Sequence, residues 1–416
     1  MNQFTTSLSI ALAYLREKRL STALNVLLLG LGVGTIIALV LLLAQAEDRM
    51  ARDAGGVDLV IGAKGSPMQL VLSSIFQVDI PTGNIPLAEA LQIIAEPVVK
   101  RAIPLALGDS HKGFRIVGTN PAYLDLYAGK LAAGRMWDKP LEALLGADVA
   151  RVTGLSIGGK FVGTHGLSES GGSAHGEHPY VITGILQPSG SVMDRLILTS
   201  VSSVWQLHDH GDAAAPATAG APTKHPPDDD HDHASGKEVT AYLIQYATPL
   251  AAISFPRLVN ASSSMQAASP AMESARLFQL VGVGVTALKG FAVIMMVCAG
   301  LGIFIGLMNA LDERRADLAL LRVLGAPPAV VVLSTLLQGA MLGLAGVILG
   351  LVLGHLGAEW IGQAYAASQR VAIGGRIWVS QEWWVVGSAL TLALCAALVP
   401  AWRAYREATP ELLATR

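Results

Sequence analysis

Charge is what this chain has least of. Asp, Glu, Lys and Arg together make up 14% of its residues, while apolar residues make up 52%. A soluble globular domain is about a quarter charged, so the balance points to a membrane. The net charge of -2 offers no basic footprint for nucleic acid. Cysteine is nearly missing. Cys298 and Cys395 both fall in long apolar runs, which excludes a disulfide framework or a Cys-based zinc site in the polar regions. No GxxxxGK[ST] loop is present, so the chain does not bind ATP in the P-loop manner. No HExxH spacing, paired acid and base or activated nucleophile marks a catalytic centre.

What the sequence has instead is four long apolar stretches. Leu20 to Ala46, Gly290 to Leu311, Val323 to Ala358 and Trp383 to Trp402 contain no Asp, Glu, Lys or Arg. Each can supply the roughly 20 residues that a spanning helix needs. In the third, the span falls near Ala329 to Gly354. Ala44-Gln45-Ala46 resembles a signal cleavage site, but the first run is far longer than a signal peptide's apolar region and reads as an uncleaved anchor. Basic residues mark alternate ends: Arg16, Lys18 and Arg19; then Arg314, Arg315 and Arg322; then Arg403, Arg406 and Arg416. By the positive-inside rule these ends are cytoplasmic.

The chain then divides into a cytoplasmic segment 1–19, span 20–46, extracytoplasmic region 47–281, span 282–311, cytoplasmic helix 312–328, span 329–355, outer loop 356–382, span 383–402 and cytoplasmic tail 403–416. Trp378, Trp383 and Trp384 suit an aromatic belt. His355 reads as an interfacial histidine. Gly339 and Gly343, followed by Gly346, Gly350 and Gly354, place small residues on one helix face for close helix contact. The spacing leaves open whether that contact is within one chain or between two.

Short strand-like runs separated by turn residues fill the region from about Gly55 to Ala268. Asp58 to Gly62, Phe114 to Gly118, Tyr180 to Gly184, Arg195 to Thr199 and Val239 to Gln245 read as strands. Leu87 to Ala95 and the region from Leu141 to Val152 read as helical. The expected fold is therefore four transmembrane α-helices plus an α+β extracytoplasmic domain. Polar helices at Ala44 to Asp53 and Ser269 to Leu288 would join the domain to the spans as a stalk, with Pro270 suited to a first helical turn.

Eight of the ten histidines fall between His165 and His233. His208, His210, His225, Asp228, His231 and His233 lie in a low-complexity insert, 208–237, expected to be disordered without a ligand. Imidazole and carboxylate donors suit Zn, Ni or Cu(II). Two readings stay open: flexible capture of Zn, and a solvated polar loop that meets metal only incidentally.

Between the second and third spans, Leu311, Leu318, Leu321 and Leu324 segregate at helical spacing from Glu313, Arg314, Asp317 and Arg322. Gly325 and Pro327-Pro328 end the pattern. Such a helix lies on the membrane surface, either as a connector or as a docking element.

Leu321-Arg-Val-Leu-Gly-Ala326, Pro400-Ala-Trp-Arg-Ala404 followed by Thr409-Pro410, Gly118-Thr119, Gly134-Arg135, Leu145 to Ala150 and Gly184-Ile-Leu-Gln-Pro188 occur in one order along the chain. With the topology, they make it resemble the MacB/FtsX/Lol class of ABC transporter permeases. The resemblance implies a MacB-like periplasmic core domain in a bacterial inner membrane. It implies a permease homodimer and a separate cytoplasmic ATPase subunit that binds the ATP. Glu313, Arg314, Arg315, Asp317, Arg322 and Gly325 would couple to that ATPase. Work would then be done on periplasmic cargo or a periplasmic partner protein, by mechanotransmission from membrane to domain, rather than by opening a path across the lipid.

Overall fold

The structure is a computed structural model describing residues 3–165, 178–211, 236–313, 327–369 and 374–406. It forms two units, Met1–Glu47 with Leu280–Arg416, and Asp48–Gln279.

The chain opens with helix α1 (Gln3–Glu17), which buries Ser7, Ala11 and Tyr14 along one face. Their spacing of four and then three residues is what one helical face requires. Helix α2 (Arg19–Asp53) follows. At 1.5 Å per residue it is about 50 Å long, well beyond a hydrocarbon core of about 30 Å. Its last turns therefore lie outside the apolar stretch.

The α/β unit continues with β1 (Leu59–Ala63), α3 (Pro67–Ser74), β2 (Ile85–Pro86), α4 (Leu87–Ile94), β3 (Val99–His111) and β4 (Phe114–Thr119). Then come α5 (Ala122–Leu126), β5 (Leu131–Gly134), β6 (Glu142–Leu145), α6 (Ala147–Thr153), β7 (Lys160–Phe161) and β8 (Thr164–His165). After β9 (Tyr180–Leu186), a 3-10 turn (Val192–Arg195) and β10 (Ile197–Ser200), the unit ends with α7 (Val201–Gly211), β11 (Glu238–Val239), β12 (Ala241–Tyr246), α8 (Ala251–Ser262) and β13 (Met265–Ala268).

Its main sheet has the order β13-β1-β12-β3-β4-β10-β6-β9-β5. Neighbours are antiparallel except for the pairs β4 with β10 and β6 with β9. Alternate residues of β1 serve opposite cores. Val60 packs with Leu70, Leu105, Val117 and Leu243, while Leu59 and Ile61 pack with Ala90, Ile244 and Phe255. This is the period-two alternation of a strand covered on both faces.

Two local features differ from the sequence reading. Glu142–Leu145 is a strand rather than the start of a helix, bonded to both β10 and β9. One acidic residue followed by three apolar ones carries no period that separates strand from helix. The second difference is α7, which runs to Gly211. His208 and His210 therefore sit on a helix.

Within β4, Arg115 is a buried cation. Its guanidinium donates to Ser73 O at 3.1 Å, Gln77 Oε1 at 3.3 Å and Asp79 O at 2.6 Å. Burial lowers its pKa to about 10, with Asp79 acting in the opposite sense. These bonds fix the turn that follows α3. Gly134, at φ +83°, lies too close to Thr183 O and Gly184 for any side chain.

Three helices complete the chain: α9 (Pro270–Glu313), α10 (Pro328–Gln369) and α11 (Glu382–Arg406). With α2, they are the four helices long and apolar enough to cross a membrane among the described residues. Pro270 opens α9. Leu29, Val33, Ile37 and Leu41 of α2 form the buried seam of this bundle with Met296, Val347 and Ala389. Phe291, Ile294, Leu301 and Ile305 stay exposed on α9, as suits a surface solvated by lipid.

Candidate functional site

At the α1 end of the bundle, short polar contacts gather just before residues 314–326. Ser7 Oγ donates to Val330 O at 3.1 Å, and the Tyr14 hydroxyl donates to Gly306 O at 3.1 Å. Lys18 Nζ lies 2.9 Å from Glu313 Oε2, and Arg403 Nη2 lies 3.4 Å from Asp312 Oδ1. Hydrogen bonding and then charge attraction from Glu313 raise the Lys18 pKa. The last turn of α9 is thus tied both to Lys18, just past α1, and to the end of α11. These pairs are exposed, so they orient the turn more than they stabilise it. Of the expected coupling residues, Glu313 is among those placed here. Arg314, Arg315, Asp317, Arg322 and Gly325 lie outside the described residues. Beside that segment, Pro327, Pro328, Val332, Leu333 and Tyr405 line an open apolar hollow.

The glycines of α10 face two different partners inside one chain. A methyl at Gly339 would sit 2.5 Å from Ala397 Cβ, and one at Gly343 2.6 Å from Ala393 Cβ, both on α11. Gly346, Gly350 and Gly354 instead meet Leu29, Val33 and Ile37 of α2, at 2.6, 2.6 and 2.7 Å. Gly30 and Gly34 on α2 complete this second contact from the other side. The backbones of α2 and α10 therefore approach as closely as small residues allow.

In the α/β unit, the last residue of α2 carries a buried charge cluster. The Asp53 side chain is 3% exposed. Its Oδ1 accepts the Val192 N–H at 2.6 Å. Its Oδ2 lies 3.9 Å from Arg195 Nη2 and 4.0 Å from Arg49 Nε. The Tyr127 hydroxyl donates to Asp53 O at 2.8 Å. Burial pushes the Asp53 carboxyl up, while Arg195 and then Arg49 pull it back. Burial also lowers Arg195 and raises the Tyr127 phenol. Asp194 holds the same loop from below, accepting from Ser189 N at 2.8 Å and Gly190 N at 2.7 Å. The end of α2 is bolted to the segment between β9 and β10.

Sequence reasoning missed this anchor. The Arg49–Asp53 spacing of four residues at the end of the stalk was its one visible sign. Of the histidine-rich insert, His208 and His210 lie on α7. His225, Asp228, His231 and His233 lie outside the described residues. Among the described residues, no three His, Cys, Asp or Glu side chains gather in a way that could hold a metal ion.

Comparison with known proteins covers most of the chain. Residues 22–221 match the family described as MacB-like periplasmic core domain, and residues 289–409 match the FtsX-like permease C-terminal family. Among solved structures, the periplasmic region of MacB from Actinobacillus actinomycetemcomitans is similar at 11% identity and a TM-score of 0.34. The likeness covers 55% of this chain and 95% of that one. The extracellular domain of the noncanonical ABC-type transporter YknZ from Gram-positive bacteria is similar at 11% identity and a TM-score of 0.29, over 51% of this chain and 98% of that one. No curated protein matches the chain.

Proposed function

The chain belongs to the MacB/FtsX type of ABC transporter permeases, and from that membership we propose that it couples ATP hydrolysis by a separate cytoplasmic ATPase to conformational work on a periplasmic cargo. The observation that carries the reading is the continuity of α2 from the bundle to Asp53. One helix is packed against α10 through glycines and ends in a buried anchor on the β9–β10 segment. Glu313, held by Lys18, opens the segment through which the ATPase would act, and Arg314, Arg315, Asp317, Arg322 and Gly325 would continue that contact. The chain would sit in the inner membrane as a homodimer, surrounded by lipid, with residues 47–281 in the periplasm facing a partner protein or cargo there.

The chain is expected to co-purify with a P-loop ATPase from its native membrane. Reversing Arg314, Arg315 and Arg322 to glutamate together should release that ATPase. Retention of the ATPase by the reversed chain would count against the reading.

A zinc link is the narrower proposal, and the composition of residues 208–237 supports it. Calorimetry on the full chain near neutral pH should register Zn binding, and deleting Asp209 to Lys237 should abolish it. A heat-silent titration of the intact chain would end the proposal.

A further inference from the structure

His355 of α10 has both ring nitrogens against acceptors. Nδ1 lies 2.5 Å from the Gly375 carbonyl oxygen, and Nε2 lies 2.9 Å from Glu382 Oε2. The Glu382 side chain is fully buried, and its Oε1 accepts the Val379 N–H at 2.9 Å. A carbonyl oxygen carries no proton, so Nδ1 must donate to it. The contact from Nε2 to Oε2 then needs a second proton, held either by the imidazole as an ion pair or by the carboxyl group. In both forms the pair is neutral overall and shares one proton. Without that proton, a carboxylate that is itself fully buried faces a nitrogen lone pair, and the hydrogen bond becomes a repulsion.

The groups around the pair turn this proton into a fastening. Gln45 near the end of the first span clasps Gly374 from both sides. Its Nε2 donates to Gly374 O at 2.8 Å, and its Oε1 accepts the Gly374 N–H at 2.9 Å. Glu359 Oε2 accepts the Gly375 N–H at 2.6 Å. The Trp378 ring stacks on His355 at 5.7 Å, and Trp383 packs on Trp378 at 5.4 Å. The charged groups facing the pair are Glu382 from α11, Glu359 from α10 and Arg376 from the loop, which attracts Glu359. From α2 it is faced by the neutral amide of Gln45.

We infer that His355 and Glu382 form a proton-held latch, which binds loop 374–382 to the ends of α2, α10 and α11 and lets it go when the shared proton is lost. On the orientation proposed above, the latch reads the pH of the extracytoplasmic side. Its chemistry is independent of the ATPase reading.

The sign follows from counting protons. A released and hydrated imidazole loses its proton near its ordinary pKa of about 6.5, and a released carboxyl near about 4.3. Between those values the closed and open states hold one proton each, so closure is insensitive to pH. Above about 6.5 the open state holds none and the closed state one, so closure weakens by about tenfold per pH unit.

The test is hydrogen exchange of peptides covering residues 374–384 in the full-length chain in lipid nanodiscs. The scan runs from about pH 5 to about pH 9, corrected for the intrinsic pH dependence of exchange. Protection should be level up to about pH 6.5 and then fall about tenfold per unit. In Glu382→Gln, the side-chain amide donates to Nε2 and its carbonyl still accepts from Val379. The closed variant then holds its imidazole neutral, so protection should persist above about pH 6.5 and fall below it, the reverse of the wild-type profile. In His355→Phe, the segment should exchange freely at every pH. A pH-independent wild type, a Glu382→Gln variant that keeps the wild-type fall, or a His355→Phe variant as protected as wild type at low pH would each overturn the latch.

Discussion

Replacing Gly350 with leucine is expected to leave little folded protein in the membrane. The first added carbon would lie 2.6 Å from Val33 Cβ and Cγ1 and 3.0 Å from Gly30 O. Neither neighbour can yield. Valine has one strongly preferred rotamer in a helix, and the second contact is backbone. Overpacking of this kind costs about 3 kcal/mol or more, since it forces whole helices apart rather than one side chain. The built-in control is Gly387 on α11, where an added carbon meets nothing within 4 Å. Gly387→Leu should fall within about 0.5 kcal/mol of wild type. Thermal unfolding of both variants in the same detergent checks the pair. Equal melting temperatures would mean that the α2–α10 contact is not as close as described.

Asp53→Ala is expected to be the most damaging single change in the α/β unit. It strips the Val192 N–H of its acceptor and leaves Arg195 and Arg49 without their shared counter-charge. Breaking a buried ion pair from one side costs about 3–5 kcal/mol, because the remaining charge stays buried. The physical origin of that cost can be checked by adding Arg195→Met. Removing the stranded cation should restore part of the loss, so the double variant should be more stable than Asp53→Ala alone. Chemical denaturation with a probe in the α/β unit reads this order. A double variant that is less stable by the full sum of the two single losses would show that the residues act separately.

The parts of the molecule that were legible in the sequence are those set by local pattern. Leu20 to Ala46 is apolar without interruption and flanked by Arg16, Lys18 and Arg19, so bilayer solvation and lipid-side charge bias both register in it. Strands β1, β4 and β9 were visible as β-branched runs between glycines. The sheet order was not, because β4 and β10 pair in parallel across a long stretch of chain, and nothing local encodes that partner. Helix α1 is hard to read because its buried face carries Ser7, a polar residue whose hydroxyl reaches Gln3 O within the helix and Val330 O, 323 residues away.

The same distinction governs the candidate site. The run from Glu313 to Ala326 stood out through charge segregation and through its resemblance to a family pattern. The salt bridge from Lys18 to Glu313 spans 295 residues, and the bond from Asp53 to Val192 spans 139. Each partner alone is an ordinary charged residue near the end of a span. The glycines announced close packing but not its address: Gly339 and Gly343 serve α11, whereas Gly346, Gly350 and Gly354 serve α2. The pairing of His355 with Glu382 is not legible in the sequence, where Glu382 reads as an ordinary helix-opening acid.

The central claim, that this permease transmits the work of a partner ATPase, is tested most directly by ATP turnover of the two proteins reconstituted together in liposomes. The wild-type chain should raise turnover above that of the ATPase alone. The Arg314→Glu, Arg315→Glu, Arg322→Glu chain should lose that increase by about tenfold or more, the size of a typical coupling energy. Turnover that is the same with the wild-type chain, with the reversed chain and with no chain at all would contradict the account.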